Sequence, residues 1–103
     1  MIIRAEKIDF NGAYYKNIEV SEKLYEAYHI LKKMEADGKL YYVRINHDGV
    51  ISLSTGYRTT NDYIANPLQK HLEYMGLVVE RNDCYNWFYV KEENDVDKYF
   101  MEK

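Results

Sequence analysis

The sequence predicts a single α+β domain over residues 1–103, with antiparallel β-hairpins packed against two main helices. Hairpin-type turn residues separate short alternating segments near positions 11, 48 and 82. Two longer segments carry apolar side chains at helical spacing, and no repeat or Pro-rich linker divides the chain. The expected order is ββ-α-ββ-α-ββ, followed by a short terminal helix.

The first hairpin is predicted from the dipeptide Asn11-Gly12, which suits a type I′ turn between segments 2–10 and 13–20. A helix should follow, with Ser21 as its N-cap and Gly38 after its end. Its expected buried face consists of side chains three and four residues apart: Leu24, Ala27 or Tyr28, Leu31 and Met34.

The second hairpin, over residues 40–55, allows two registers, and its hydrophobic pattern chooses between them. A two-residue turn sets apolar side chains against serines. A three-residue loop over 47–49, with its glycine in the left-handed position, instead pairs Ile45 with Ile51 and Val43 with Leu53. We expect this second register because one face is then consistently apolar. The opposite face would carry Tyr42, Arg44, Asn46, Ser52 and Ser54.

Pro67 decides where the second main helix should begin, because a proline inside a helix loses a backbone donor and clashes one turn back. We therefore expect a break, with Asn66 as N-cap and Pro67 in the first helical turn. Residues 60–65 would form one short helical turn before it. The expected buried stripe is Leu68, Leu72 and Met75, with Gly76 as the stop.

A third hairpin, expected over residues 77–81 and 85–91, carries the main candidate contact surface. Three aromatic side chains alternate along its second strand and line one face: Tyr85, Trp87 and Tyr89. With Phe88 and Val90 buried on the other face, they form a platform for a partner's apolar patch or for stacked bases. The alternative is that a terminal helix over 95–101 covers them.

Acidic residues follow this strand and extend the candidate surface: Glu92, Glu93 and Asp95. Acidic residues of this kind ordinarily form a solvated surface with no specific role. The functional alternative is that they contact a basic groove of a partner protein. The chain also has 12 Tyr, a residue favoured at interfaces, although the composition of an AT-rich gene gives the same excess. We expect a non-catalytic module that binds a protein partner, such as a small inhibitor or adaptor encoded by a phage or mobile element.

Other classes of function lack a sequence signal. A net charge of −3 argues against a general phosphate-binding surface. One Cys and three scattered His give no metal-ligand pattern, and neither a nucleophile elbow nor a Gly-rich phosphate loop occurs. We therefore predict no catalytic residues, no metal and no cofactor. Cysteine usage and the N-terminal residues indicate a cytoplasmic protein with no membrane segment, and leave a homo-oligomer open.

The alternative function is nucleic-acid binding. The segment from residue 68 has the pattern Leu68-x-x-x-Leu72-Glu73-x-x-Gly76-Leu77-Val78. This pattern resembles the recognition helix of a winged-helix domain running into its wing. The resemblance covers a short part of the chain. It implies that the helix at 67–75 and the hairpin at 77–91 hold nucleic acid through Gln69, Lys70, His71 and Arg81.

Overall fold

The computed structural model describes residues 1–56, 62–82 and 87–92, and for residues 62–64 and 82 it describes the backbone alone. The elements follow in the order ββ-α-ββ-α-ββ, which confirms the α+β class. Four expected features lie outside the described residues: Tyr85, Glu93, Asp95 and the helix over 95–101. The bounds are β1 Ile2–Asp9, β2 Gly12–Glu19, α1 Glu22–Ala36, β3 Tyr42–Ile45, β4 Ile51–Ser54, α2 Asp62–Tyr74, β5 Leu77–Asn82 and β6 Trp87–Glu92.

The strands form two antiparallel sheets. One is the β1–β2 hairpin, and the other has four strands in the order β3-β4-β6-β5. The last strand along the described chain, β6, therefore lies between β4 and β5 and joins the second and third hairpins into one sheet. Helix α1 packs beside β3 and α2 beside β5, so that the helices flank the two ends of this sheet.

One face of the four-stranded sheet, the inner face, lies in the hydrophobic core. Its central side chains are at most 1% exposed: Val43, Ile45, Ile51, Leu53, Phe88 and Val90. Both helices and β1 contribute to the same core, β1 through Ile3 and Ala5. Because side chains alternate along a strand, the residues between these positions form the opposite, outer face.

The register of the β3–β4 hairpin is the one that the hydrophobic pattern predicted. Ile45 lies opposite Ile51, and the loop between the strands has Gly49 at a φ of +81°. The Asn46 side chain supports this loop, because its Oδ1 accepts the backbone N–H groups of Asp48 and Val50 at 2.9 and 3.0 Å. A one-residue slip would turn every apolar side chain outward.

The turn of the first hairpin differs from the prediction. Asp9 pairs with Gly12, so the two turn residues are Phe10 and Asn11 rather than Asn11 and Gly12. The Asp9 carboxylate accepts the Asn11 backbone N–H at 2.8 Å, which fixes the turn locally. The two registers differ by two residues in the pairing and keep the same side chains on each face. Hydrophobic alternation therefore could not separate them.

Helix α1 begins and ends as its sequence predicts. The Ser21 Oγ accepts the Leu24 backbone N–H at 3.2 Å, and Gly38 after the helix has a φ of +78°. The buried side chains of the helix, Leu24, Ala27 and Leu31, follow the expected spacing. The helix is therefore anchored along one apolar stripe and capped at its N-terminus.

The predicted break before Pro67 is wrong, because α2 runs without interruption from residue 62 to 74 with Pro67 inside it. Buried side chains continue at helical spacing across the proline, with Ala65 on one side and Leu68 and Leu72 on the other. Burial on both sides compensates for one missing backbone hydrogen bond. Asn66 lies inside the helix, where its Oδ1 accepts a hydrogen bond from Arg81.

Candidate functional site

Strand β6 separates its aromatic residues onto two faces. Phe88 and Val90 are fully buried on the inner face, whereas Tyr89 is 40% exposed and Trp87 half-buried on the outer face. Among the described residues, the alternation expected for the candidate surface is therefore present. Tyr85, the third member of the predicted stripe, falls outside them.

The pairing of β6 with β4 places further side chains beside this stripe. Two serines of β4 lie opposite Trp87 and Tyr89, and on β3 Tyr42 and Arg44 lie opposite the same serines. Directly paired residues of an antiparallel sheet point to the same face. Tyr42 and Arg44 therefore belong to the same surface as Trp87 and Tyr89.

The Tyr42 and Trp87 rings meet across the strand between them. Their centroids are 4.9 Å apart with an interplanar angle of 69°, an edge-to-face arrangement. Strands two positions apart in a sheet are separated by about 9.6 Å, so both rings must lean inward over β4. The residue beneath them is Ser54, and this explains why an outer-face serine is only 4% exposed. A small side chain at this position makes the ring contact fit.

Arg44 connects this surface to the first hairpin. Its guanidinium lies 4.6 Å from the centroid of the Tyr42 ring, and its Nε is 3.2 Å from a carboxylate oxygen of Glu6 in β1. About half of the Arg44 side chain remains exposed. The contacts orient the guanidinium beside the aromatic rings and balance its charge. We call this set the aromatic face: Tyr42, Arg44, Ser52, Trp87 and Tyr89.

A second ion pair lies at the border of the aromatic face. Lys91 follows Trp87 and Tyr89 on the same side of β6, and its Nζ is 2.9 Å from Glu80 Oε1 on β5. Glu80 itself lies opposite Tyr89 in the register. The surface thus has aromatic side chains flanked by two ion pairs, one reaching β1 and one reaching β5.

Glu92 was predicted to extend this surface, but it does not lie on the aromatic face. Glu92 has the inner-face parity of Phe88 and Val90, and its Oε1 accepts the Ser21 backbone N–H at 2.7 Å. Its carboxylate therefore supports the N-terminus of α1, where a negative charge is favourable. The other two acidic candidates, Glu93 and Asp95, lie outside the described residues.

The residues of the alternative nucleic-acid surface are divided between two settings. On α2, Lys70 and His71 are exposed and Gln69 is half-buried. Arg81 instead has inner-face parity: its Nη1 donates to Asn66 Oδ1 at 2.6 Å, and its guanidinium lies 5.4 Å from the Phe88 ring centroid. Arg81 therefore joins α2 to the sheet, and the structure does not turn it outward beside Lys70.

Within the described residues, no group of three or more His, Cys, Asp or Glu side chains is placed to hold a metal ion. None of the described helices has the length and apolarity that crossing a membrane requires. Comparison of the chain with protein-family models, with curated proteins and with solved structures finds no match.

Proposed function

We propose that the protein is a non-catalytic binding module whose aromatic face contacts a protein partner. The observation that carries this proposal is the division of β6, in which Phe88 and Val90 fill the core and leave Trp87 and Tyr89 on the outer face. A half-buried Trp and an exposed Tyr on a hydrogen-bonded sheet bring a large contact area with little loss of side-chain freedom.

The charge distribution around the aromatic face favours a protein over a nucleic acid. Arg44 is paired with Glu6, and Lys91 at the border of the face is paired with Glu80, so both of these cations have a carboxylate beside them. Binding to a phosphate backbone depends on unneutralised Lys and Arg side chains, whereas aromatic anchors with a flanking Arg are typical of protein hot spots. We propose an apolar patch as the partner's contacting surface.

We also propose that the module is an inhibitor or an adaptor. The size of the chain and the lack of a catalytic signature fit an inhibitor or an adaptor acting in the cytoplasm, of the kind that phages and mobile elements encode. A domain whose aromatic face occupies a partner's surface requires no chemistry of its own.

The test uses variants of the aromatic face with a matched control. Peptide ligands are selected from a displayed library against the wild-type protein, and their affinities are then compared for Trp87→Ala, Tyr89→Ala and Tyr74→Ala. Tyr74 is 90% exposed on α2 and serves as the control aromatic residue. We expect about tenfold or greater loss for the first two variants only. Equal affinity for all three would contradict the proposal.

Nucleic acid is the alternative outcome of a parallel titration. Trp87 fluorescence is followed while single- and double-stranded DNA or RNA is added at low and high salt. The variants Lys70→Glu and Trp87→Phe are then compared. Because Trp87→Phe lacks the tryptophan, its binding is followed by the anisotropy of labelled nucleic acid. If binding is salt-sensitive and Lys70→Glu abolishes it, nucleic-acid binding through the helix at 67–75 replaces the protein-partner role.

A further inference from the structure

A cavity of about 590 Å³ lies where the first hairpin, α1 and the end strand β3 meet. Its volume falls within the range of small-molecule sites, roughly 300–1,000 Å³. Three cations, two carboxylates and four tyrosines are among its lining residues: Arg4, Lys32, Arg44, Glu6, Glu35, Tyr15, Tyr28, Tyr41 and Tyr42. It adjoins the aromatic face at Tyr42 and Arg44.

Both carboxylates of the cavity are already engaged by the protein. Glu35 Oε1 accepts a hydrogen bond from Lys32 Nζ at 2.9 Å, and its Oε2 accepts the Val43 backbone N–H at 2.7 Å. Glu6 pairs with Arg44 across 3.2 Å. Two of the three cations are thereby balanced, which leaves the cavity with one positive charge in excess.

That excess charge belongs to Arg4. Its guanidinium lies over the Tyr15 ring, 4.4 Å from the centroid, and no carboxylate among the described residues forms an ion pair with it. Contact with an aromatic ring leaves the in-plane N–H groups of a guanidinium available, and these match the two oxygens of a carboxylate or phosphate. Arg4 is therefore held in place by Tyr15 with its donors open to an anion.

The tyrosines supply the second half of a recognition site. Tyr15 and Tyr41 are exposed, and Tyr28 and Tyr42 are half-buried. The Tyr15, Tyr28 and Tyr42 rings each contact a cation of the cavity, whereas Tyr41 is 73% exposed. Aromatic rings stack on flat rings, and tyrosine hydroxyl groups can hydrogen-bond to ring substituents. The cavity thus combines tyrosine rings with one unbalanced cation.

We propose that this cavity binds a small anionic ligand in which a phosphate or carboxylate group is attached to an aromatic ring. Arg4 binds the anionic group, and the tyrosines contact the ring. Tyr42 and Arg44 line the cavity and also belong to the aromatic face. Arg4 and Tyr15 do not belong to that face, so a variant of Arg4 tests the cavity separately from the protein partner.

The test is isothermal titration calorimetry with four probes: phenyl phosphate, benzoate, inorganic phosphate and benzyl alcohol. We expect the aromatic anions to bind at least about tenfold more tightly than inorganic phosphate or the neutral alcohol. The better of phenyl phosphate and benzoate identifies the anionic group. Absence of heat for both aromatic anions at millimolar concentration overturns the proposal, as does equal binding of the neutral alcohol.

Two variants of equal charge locate the site. Arg4→Gln and Lys16→Gln each remove one positive charge from the first hairpin, and both side chains are exposed, so both variants should keep the wild-type unfolding midpoint. Arg4→Gln is expected to weaken binding of the aromatic anion about tenfold, and Lys16→Gln to leave it unchanged. Equal effects of the two variants would show a nonspecific charge effect and would overturn the assignment to the cavity.

Discussion

Adjacent aromatic residues in β6 stabilise the fold to different extents. Phe88 is completely buried and lies opposite Leu53 of β4, within the core. Trp87 is half-buried and packs edge-to-face against the Tyr42 ring. Loss of a core side chain leaves a cavity, whereas loss of an outer-face side chain leaves surface that water can fill.

We therefore predict that Phe88→Ala lowers the free energy of unfolding by about 3–5 kcal/mol and that Trp87→Ala lowers it much less. Urea unfolding followed by circular dichroism measures both variants on the same scale. If Trp87→Ala lowers the free energy of unfolding as much as Phe88→Ala does, the aromatic face is part of the core and is not available to a partner.

The pKa of Lys32 is raised in the folded protein, where its side chain reaches from α1 to β3. Partial burial acts to lower the pKa of Lys32, but the hydrogen bond to Glu35 and the charges of Tyr28, Glu35 and Glu6 together outweigh this effect. The folded protein therefore binds this proton more tightly than the unfolded chain does. The resulting stabilisation is complete below the unfolded lysine pKa, about 10.4, and is lost as pH rises through the folded value.

This linkage predicts a pH-dependent difference between the wild type and Lys32→Met. The wild type should be more stable at neutral pH, and the difference in unfolding free energy should narrow at alkaline pH, once pH exceeds about 10.4. Urea titrations at several pH values provide the measurement. A difference that stays constant or widens over this range would contradict the stabilising role of the Lys32 proton.

Among the elements, α2 shows where local preference gives way to packing. Pro67 is the sixth residue of the helix counted from Asp62, beyond the first four positions, whose N–H groups have no helical partner. A proline there removes one internal hydrogen bond. The apolar spacing of Ala65, Leu68 and Leu72 nevertheless keeps both halves of the helix on the core.

Pro67→Ala is expected to stabilise the protein by about 2 kcal/mol. An interior proline costs a helix about 3 kcal/mol, and its rigidity in the unfolded chain offsets about 1 kcal/mol of this. Thermal and urea unfolding of the variant check the prediction. Destabilisation instead would mean that Pro67 occupies a helix start, with Asn66 as its cap.

The hairpins show which local features a sequence can determine. The β3–β4 register was predictable because a slip of one residue would expose Ile45 and Val43 together. The β1–β2 turn was not, because the competing registers keep identical faces, and the hydrogen bond from Asn11 to Asp9 selects between them. Hydrophobic pattern determines the face of a strand, and turn chemistry determines the remaining two-residue choice.

For the whole molecule, strand order is the information that the sequence lacked. The outer-face positions of Tyr42 and Arg44 followed from the β3–β4 register, and those of Trp87 and Tyr89 followed from alternation in β6. Their adjacency depends on the pairing of β4 with β6, which joins segments separated by α2 and β5. Such a long-range pairing leaves no local signal, so the two halves of the aromatic face could not be combined.

The distribution of buried residues predicts unequal local stability. In β1 only Ile3 and Ala5 are buried, whereas residues 7–15 of the hairpin, including Phe10 at the turn, are exposed. Hydrogen-exchange mass spectrometry should find fast amide exchange in residues 7–15 and the slowest exchange in β4 and β6. Equal protection of the hairpin tip and the central strands would indicate that another surface covers the tip.

The side chains of α1 that bind the backbone of β3 have a consequence for association between molecules. At Val43, the N–H donates to Glu35 and the carbonyl oxygen accepts from Lys32 Nζ at 3.3 Å. In the described part of the sheet, β3 is an end strand, the place where an incoming strand from another molecule would pair. Glu35 and Lys32 occupy those backbone groups first. At Val43, helix α1 thereby opposes the pairing of another molecule's strand with this edge, which is the step by which fibrils grow.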